Sequence, residues 1–298
     1  LSYRFPKKIG PGEYLALKDN FSHLPHFVKI TPEGDEVVHI PGPMTFEGFS
    51  YARGLIAWSE RLPDLRWGNQ SYSVIKIYDM HSGQERMVKK DTRWFAPDLS
   101  DDAQWLVAAE VSEDNRYALV TVSPKEAEVQ RRLVHPDSLF LQQPVWSADD
   151  RYIYVIGLTS NGKGIYRVDP RTGEWSTMLE PVYREINHLS AGSDHIFFRA
   201  AIGNKSQVCA LDLETRQLYQ VTREAINASD VAYDLDDQQI AYASYDVNGY
   251  DLYRAPLVRS EMMPLEKEPD PGNTLVNTLV DQEDSLFSSE EVPDKKYG

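Results

Sequence analysis

A repeat of about 40–50 residues is the feature that most constrains what this 298-residue chain can fold into. In each copy a short apolar run ends near a serine, a polar turn follows, and further alternating apolar runs come after it. The copies align on Ser100, Ser147 and Ser190, at spacings of 47 and 43 residues. Four strands in a repeat of this length are typical of one blade of a β-propeller. The sequence therefore predicts an all-β protein.

Further copies on both sides of this region set the number of blades. Ser50 precedes Ser100 by 50 residues, Asp234 follows Ser190 by 44 residues, and turn sequences near the start complete one more copy. We therefore predict a six-bladed β-propeller of four-stranded antiparallel blades, forming one domain over 1–266. The predicted blades lie near residues 1–40, 45–90, 93–134, 140–180, 185–222 and 228–266.

The last part of the chain, 267–298, differs in composition from the repeats. It includes most of the linker-like sequence "EKEPDPGN" (266–273) and ends with the acidic, serine-rich sequence "DQEDSLFSSEEVPDKKYG". Such a segment has too few apolar residues to form a core. We expect an extended acidic tail, partly disordered, of the kind that connects to a further domain.

The charge balance narrows the class of partner. Thirty-one basic and 46 acidic residues make a formal net charge of −15, which repels nucleic acids and anionic membranes. No apolar run approaches the roughly 18 residues that a transmembrane helix needs, so none is expected. We expect a protein or peptide partner, and no nucleic acid.

Motifs of catalysis and metal binding do not stand out. The sequence "GFSYARG" (48–54) lacks the second glycine of a nucleophile elbow, and no H-E-x-x-H motif occurs. The aspartate clusters lack the ligand order of an EF-hand, and Asp and Ser are common turn residues. We expect no catalytic residues, no metal site and no cofactor in this chain.

The turn sequences carry a family resemblance. "SDDAQ" (100–104), "SADDR" (147–151), "SAGSD" (190–194) and "DLDDQ" (234–238) resemble the Ser-Pro-Asp-Gly turn of TolB-like propellers, which also occurs in prolyl oligopeptidases and tricorn proteases. The whole chain is similar to the propeller section of large exported proteins of Bacteroidetes. This resemblance implies an exported protein, periplasmic or associated with the outer membrane, with a possible membrane-associated domain downstream. It assigns no reaction.

The candidate binding site follows from loop lengths. If the strands of a blade are named a to d outward, the a–b and c–d turns share one face and the b–c and d–a loops share the other. The b–c loops are the irregular ones, and irregular loops on a rigid scaffold commonly bind ligands. The longest b–c loop supplies the candidates Glu60, Asp64, Arg66, Trp67, Asn69 and Tyr72. A second loop, with a less pronounced polar and aromatic composition, supplies Tyr245, Asp246, Asn248 and Tyr250.

These observations predict a non-catalytic binding or scaffold module that recognises a protein, peptide or other ligand through its b–c loops. One alternative is a propeller that gates substrate for a peptidase domain outside this chain. A second alternative is a carbohydrate-binding propeller, since Trp and Tyr lie near the loops.

Overall fold

Residues 2–20, 22–234, 238–266 and 278–282 are described here from a computed structural model of the chain. They form six antiparallel sheets that follow one another along the sequence, and five of the six are built from consecutive strands only. Most of the predicted tail lies outside the described residues. Its residues 278–282 form a short exposed helical turn.

The first three blades each have four strands. Blade 1 consists of β1 (Ser2–Gly10), β2 (Glu13–Asn20), β3 (His23–Thr31) and β4 (Gly34–His39). Blade 2 consists of β5 (Met44–Ala52), β6 (Leu55–Pro63), β7 (Ser71–Asp79) and β8 (Gln84–Met87). Blade 3 consists of β9 (Trp94–Leu99), β10 (Leu106–Val111), β11 (Tyr117–Val122) and β12 (Val129–Leu133).

Blade 4 keeps the four-stranded plan, whereas blades 5 and 6 depart from it. Blade 4 consists of β13 (Phe140–Trp146), β14 (Ile153–Thr159), β15 (Gly162–Val168) and β16 (Trp175–Val182). Blade 5 consists of β17 (Ile186–Ala191), β18 (His195–Ile202), β19 (Lys205–Asp212) and β20 (Leu218–Gln220). The described part of blade 6 consists of β21 (Asn227–Asp234), β22 (Gln239–Asp246) and β23 (Gly249–Pro256). After a 3-10 helix, Arg259–Glu261, strand β24 (Met263–Pro264) pairs with β20 and becomes the fifth strand of blade 5.

The six first strands form the inner ring of the molecule. Each contacts the first strand of the next blade, and β21 contacts β1, so the ring closes. In the described part of the chain, blades 1 and 6 exchange no strand. The prediction of a six-bladed propeller of antiparallel blades is confirmed. The b–c and d–a loops lie together on one face of the ring, which we call the b–c face, and the a–b and c–d turns lie on the opposite face.

Apolar side chains fill the spaces between blades. The second strand of a blade is covered on both sides by its neighbours, so β10 is a nearly continuous apolar run rather than an alternating one. At the first interface Phe27 and Trp58 are completely buried, and truncating such a side chain costs about 3–5 kcal/mol. Counting only described residues, the interface between blades 6 and 1 has the smallest buried apolar cluster, which consists of Tyr14, Ala232 and Ala241.

Every inner strand is interrupted by a β-bulge at the same level of the ring. The register between the first and second strands shifts in all six blades. A bulge bends its strand and re-aims the side chains beside it. One residue in each inner strand has a positive φ, between 47° and 100°: Phe5, Gly48, Ala96, Gln143, His188 and Asp230.

None of the helices within the described residues is long and apolar enough to cross a membrane.

Candidate functional site

The longest b–c loop, 64–70, is held in shape by one carboxylate. The Asp64 carboxylate accepts hydrogen bonds from the backbone N–H groups of Arg66 at 2.7 Å and Trp67 at 2.8 Å. It also accepts one from the hydroxyl of Tyr72 at 3.1 Å. The N–H donors of Trp67 and Arg66 lower the pKa of Asp64, and the bond to Asp64 raises the pKa of Tyr72. The Arg66 guanidinium lies 5.1 Å from the Trp67 ring, whose residue is 59% exposed. The loop therefore presents a cation and an indole to solvent from a defined backbone.

Glu60 does not belong to this loop, which corrects its expected placement. It lies within β6 and is 3% exposed, because its carboxylate accepts the indole N–H of Trp58 and the backbone N–H of Gly42, each at 2.8 Å. The Lys76 ammonium lies 3.9 Å from its other oxygen. Glu60 supports the joint between blades 1 and 2.

The second predicted loop lies on the same face but in blade 6, with blade 1 between it and loop 64–70. The N–H of Asn248 donates to Asp246 at 2.6 Å, and the rings of Tyr245 and Tyr250 are 4.9 Å apart. Tyr250 also faces the Arg4 guanidinium at 5.1 Å, so it takes part in joining the ends of the ring. The two predicted loops do not form one contiguous site.

The inner bulges surround a small cavity on the axis of the ring. Its volume is about 50 Å³, which is room for roughly three to five water molecules at about 10–15 Å³ each. It is too narrow for a polypeptide. Each blade places one polar side chain there: Lys7, Glu47, Asp98, Gln143, His188 and Asp230.

The axial carboxylates have opposite electrostatic environments. Burial raises the pKa of Asp98, and the charge of Lys7 only partly offsets this. Burial alone would also raise the pKa of Asp230, but His188 and Arg4 outweigh it and hold that pKa well below its usual range. Burial also raises the pKa of Glu47, so the axis contains one firmly ionised carboxylate, Asp230, and two whose charge is disfavoured.

A larger cavity of about 320 Å³ opens beside the axis on the b–c face, between blades 3 and 4. It shares Glu47 and Gln143 with the axial cavity. Its aromatic wall consists of Tyr117 and Phe140, whose ring centroids are 4.3 Å apart. This combination of aromatic and amide groups suits ligands with both apolar and hydrogen-bonding parts.

A third cavity continues the depression outward to loop 64–70. It is open, has a volume of about 810 Å³, and shares Arg93 with the second cavity. Asn69 and Tyr72 line it from blade 2, and Glu110 and Arg132 line it from blade 3, where they pair at 2.7 Å. The three cavities together form a groove that runs from the rim to the axis. We call it the b–c groove.

Exposed apolar side chains are concentrated on the b–c face. Among the described residues, seventeen large hydrophobic residues are exposed, and ten of them lie in or beside b–c and d–a loops. These ten are Leu24, Ile40, Leu65, Trp67, Val134, Leu158, Tyr183, Ile226, Tyr245 and Val247. Trp105, by contrast, lies at the opposite face.

The aspartate-rich turns at the opposite face are structural. Ser100 donates to Asp102 at 2.7 Å, and Ser147 donates to Asp149 at 2.6 Å, while the same groups accept backbone N–H groups of their turns. In the part of the chain that the structure describes, no cluster of three or more His, Cys, Asp or Glu side chains could hold a metal ion.

The b–c groove and the axial cavity were not predicted, although one signal for the bulges exists. Pro6, Pro97 and Pro144 each follow a positive-φ residue in an inner strand. Proline within a strand is largely confined to edges and bulges. Three prolines at equivalent positions of the repeat could therefore have located the inner bulges.

Fold and site together define the chain as a β-propeller whose b–c face carries a groove. No protein-family model and no curated protein matches it. Among solved structures it is similar to TolB from Acinetobacter baumannii, with a TM-score of 0.65 and 15% identity. The match covers 86% of this chain and 64% of that TolB chain, so this chain spans about two thirds of its length.

Two peptidase propellers are also similar to this chain. The β-propeller domain of the Trilobed protease from Pyrococcus furiosus, described as having an open velcro topology, has a TM-score of 0.55 and 11% identity over 92% of this chain and 98% of that chain. A prolyl endopeptidase has a TM-score of 0.52 and 14% identity over 91% of this chain and 43% of that one. The resemblance to TolB-like and peptidase propellers is confirmed as a likeness of fold.

Proposed function

We propose that this chain is a non-catalytic binding module of a larger exported bacterial protein, and that it recognises a protein or peptide partner on its b–c face. The observation that carries this proposal is the concentration of exposed apolar side chains on that face. Apolar surface gains free energy when a partner removes it from water, and large exposed patches usually mark interaction sites. Export and a bacterial origin, in Bacteroidetes, stay predictions from the sequence resemblance.

The shape of the b–c groove favours an extended segment of the partner. Such a segment would lie along the groove from loop 64–70 toward the axis. Trp67 and Arg66 at the outer end are the residue types that most often dominate binding energy. Tyr117 and Phe140 at the inner end offer an aromatic wall for a side chain of the partner. The predicted loop residues therefore form one end of the proposed site.

The peptidase-gating alternative is less well supported by the dimensions of the axis. A gate through the ring would need a channel wide enough for a peptide, whereas the axial cavity has a volume of about 50 Å³. Carbohydrate binding is the other alternative, and the Tyr117–Phe140 wall is the feature that favours it. A glycan array screened with the wild-type protein and with a Tyr117→Ala variant tests it.

Site-specific photo-cross-linking tests the proposal. p-Benzoylphenylalanine would replace Leu65 or Val247 on the b–c face, or Gln104 on the opposite face as a matched exposed control. Each protein would be irradiated in an extract of the native source. We expect the same discrete cross-linked partner at Leu65 and Val247, and none at Gln104.

A second variant links any such partner to the groove. Replacing Arg66 and Trp67 together with Ala should reduce binding of the identified partner at least tenfold, because Arg and Trp are the residue types that often dominate binding energy. Both side chains are exposed, so the fold should not depend on them. Equal cross-linking from both faces, or unchanged affinity of the double variant, would contradict the proposal.

A further inference from the structure

A second concave site lies on the opposite face, between blades 3 and 4. Its volume is about 480 Å³, within the range of pockets that hold small molecules. Trp105, which is 38% exposed, and the largely buried Trp146 line it. These indoles supply flat apolar surface. The cavity is separate from the b–c groove, which opens on the other face.

Three arginines from three different elements converge on this cavity. Arg131 comes from β12, Arg151 from the a–b turn of blade 4, and Arg171 from the c–d turn of the same blade. Arg171 is paired with Asp169 at 3.2 Å, and Arg151 lies 3.9 Å from Asp149. The exposed side chain of Arg131 makes no hydrogen bond or ion pair with any residue that the structure describes. Carboxylates therefore lie close to two of the three guanidinium groups, and the guanidinium of Arg131 is the one that has no such partner among the described residues.

Among the described residues that line the cavity, one is a carboxylate, and it is already engaged elsewhere. Asp150 accepts the backbone N–H of Asp101 at 2.8 Å through one oxygen and that of Asp102 at 3.2 Å through the other. These bonds hold the turn of blade 3 against blade 4. No ion pair joins Asp150 to Arg131 among the described residues, so the Arg131 guanidinium stays available to a ligand.

We propose that this cavity binds a small molecule that carries an oxyanion, a carboxylate or a phosphate, on a flat apolar body. A guanidinium matches the geometry of both oxyanions and forms paired hydrogen bonds with them. Arg131 and Arg151 bind the oxyanion, and Trp105 packs against the apolar body. The site is independent of partner binding on the b–c face.

Calorimetric titration of the full chain with three probes tests this assignment. Benzoate and phenyl phosphate carry the two oxyanions on the same ring, and benzyl alcohol is a neutral probe of similar shape. We expect saturable binding of at least one anion, with benzyl alcohol at least roughly tenfold weaker, because charge-assisted hydrogen bonds are the stronger ones. The preferred anion identifies which group the natural ligand carries.

Variants separate the two parts of the site. Arg131→Ala should weaken anion binding by roughly tenfold or more and leave benzyl alcohol unchanged, and Arg131→Lys should restore part of the loss. Trp105→Ala should weaken all three probes. Arg116→Ala, an exposed arginine of the b–c face, should change nothing. The absence of saturable anion binding by the wild-type chain, or wild-type binding by Arg131→Ala, would overturn the proposal.

Discussion

Arg4 in the first strand donates a hydrogen bond from Nε to the carboxylate of Asp230 in β21, at 2.7 Å and across 226 residues of sequence. The Asp230 side chain is completely buried, and His188 Nδ1 lies 2.5 Å from its other oxygen. The blade 6–blade 1 interface has little buried apolar surface among the described residues, its cluster comprising Tyr14, Ala232 and Ala241. This buried ion pair therefore joins the two ends of the ring where the apolar core is weakest.

Arg4→Ala should destabilise the fold by about 2–3 kcal/mol, since it leaves a buried carboxylate short of one partner. Urea unfolding followed by tryptophan fluorescence measures this. Arg53→Ala is the matched control, because the Arg53–Asp101 pair is exposed and should contribute less than about 0.5 kcal/mol. Similar losses in both variants would contradict a special role for Arg4 in closure.

Stability should fall steeply in acid because of Asp230. Its pKa is lowered in the folded state, so its contribution is fully present above the unfolded pKa of about 3.9 and is lost as pH falls through the folded pKa. The gap in unfolding free energy between the wild type and Asp230→Asn should be wide at pH 7 and should narrow below about pH 4. Asp101→Asn, which removes an exposed carboxylate, should show a small gap. If the gap for Asp230→Asn stays constant from pH 7 to below pH 4, the ionised Asp230 carboxylate is not the source of the acid sensitivity.

Gly48→Ala should destabilise the inner ring by about 1–3 kcal/mol. Gly48 has a φ of 100°, which side chains of L-residues rarely adopt, and an added Cβ would lie 3.2 Å from the Phe5 ring. Thermal unfolding measures the loss. Gly68→Ala in loop 64–70 is the control, since nothing lies within 4 Å of its added Cβ, and a change within about 0.5 kcal/mol is expected.

Glu60 should prove to be a structural residue rather than a binding residue. Glu60→Ala leaves the Trp58 indole N–H and the Gly42 N–H without their acceptor, and should cost about 2–3 kcal/mol. Glu60→Gln retains an acceptor oxygen and should cost less than about 1 kcal/mol. Comparing the urea midpoints of the two variants tests this. Equal stability of the Ala variant and the wild type would show that these bonds are not needed.

Loop 64–70 could be recognised from the sequence because the features that define it as a loop come from residues close together in the chain. Its length and its Asp, Trp and Gly content are visible without any partner strand, and the Asp64 contacts join residues at most eight positions apart. The placement of Glu60 could not be recognised in the same way. Its acceptor role depends on Gly42, which is 18 residues earlier and reaches it only after blades 1 and 2 pack.

What the sequence determined by itself was the architecture: the repeat spacing, the alternating runs and the turn residues sufficed for six antiparallel blades. These signals are local and recur in each copy, so they reinforce one another. The b–c groove, the axial cavity and the arginine cavity were decided only by the tertiary structure. Their walls combine side chains from neighbouring blades about 45 residues apart, and at residues such as Ala96 and His188 the ring imposes a positive φ that their own propensities do not predict.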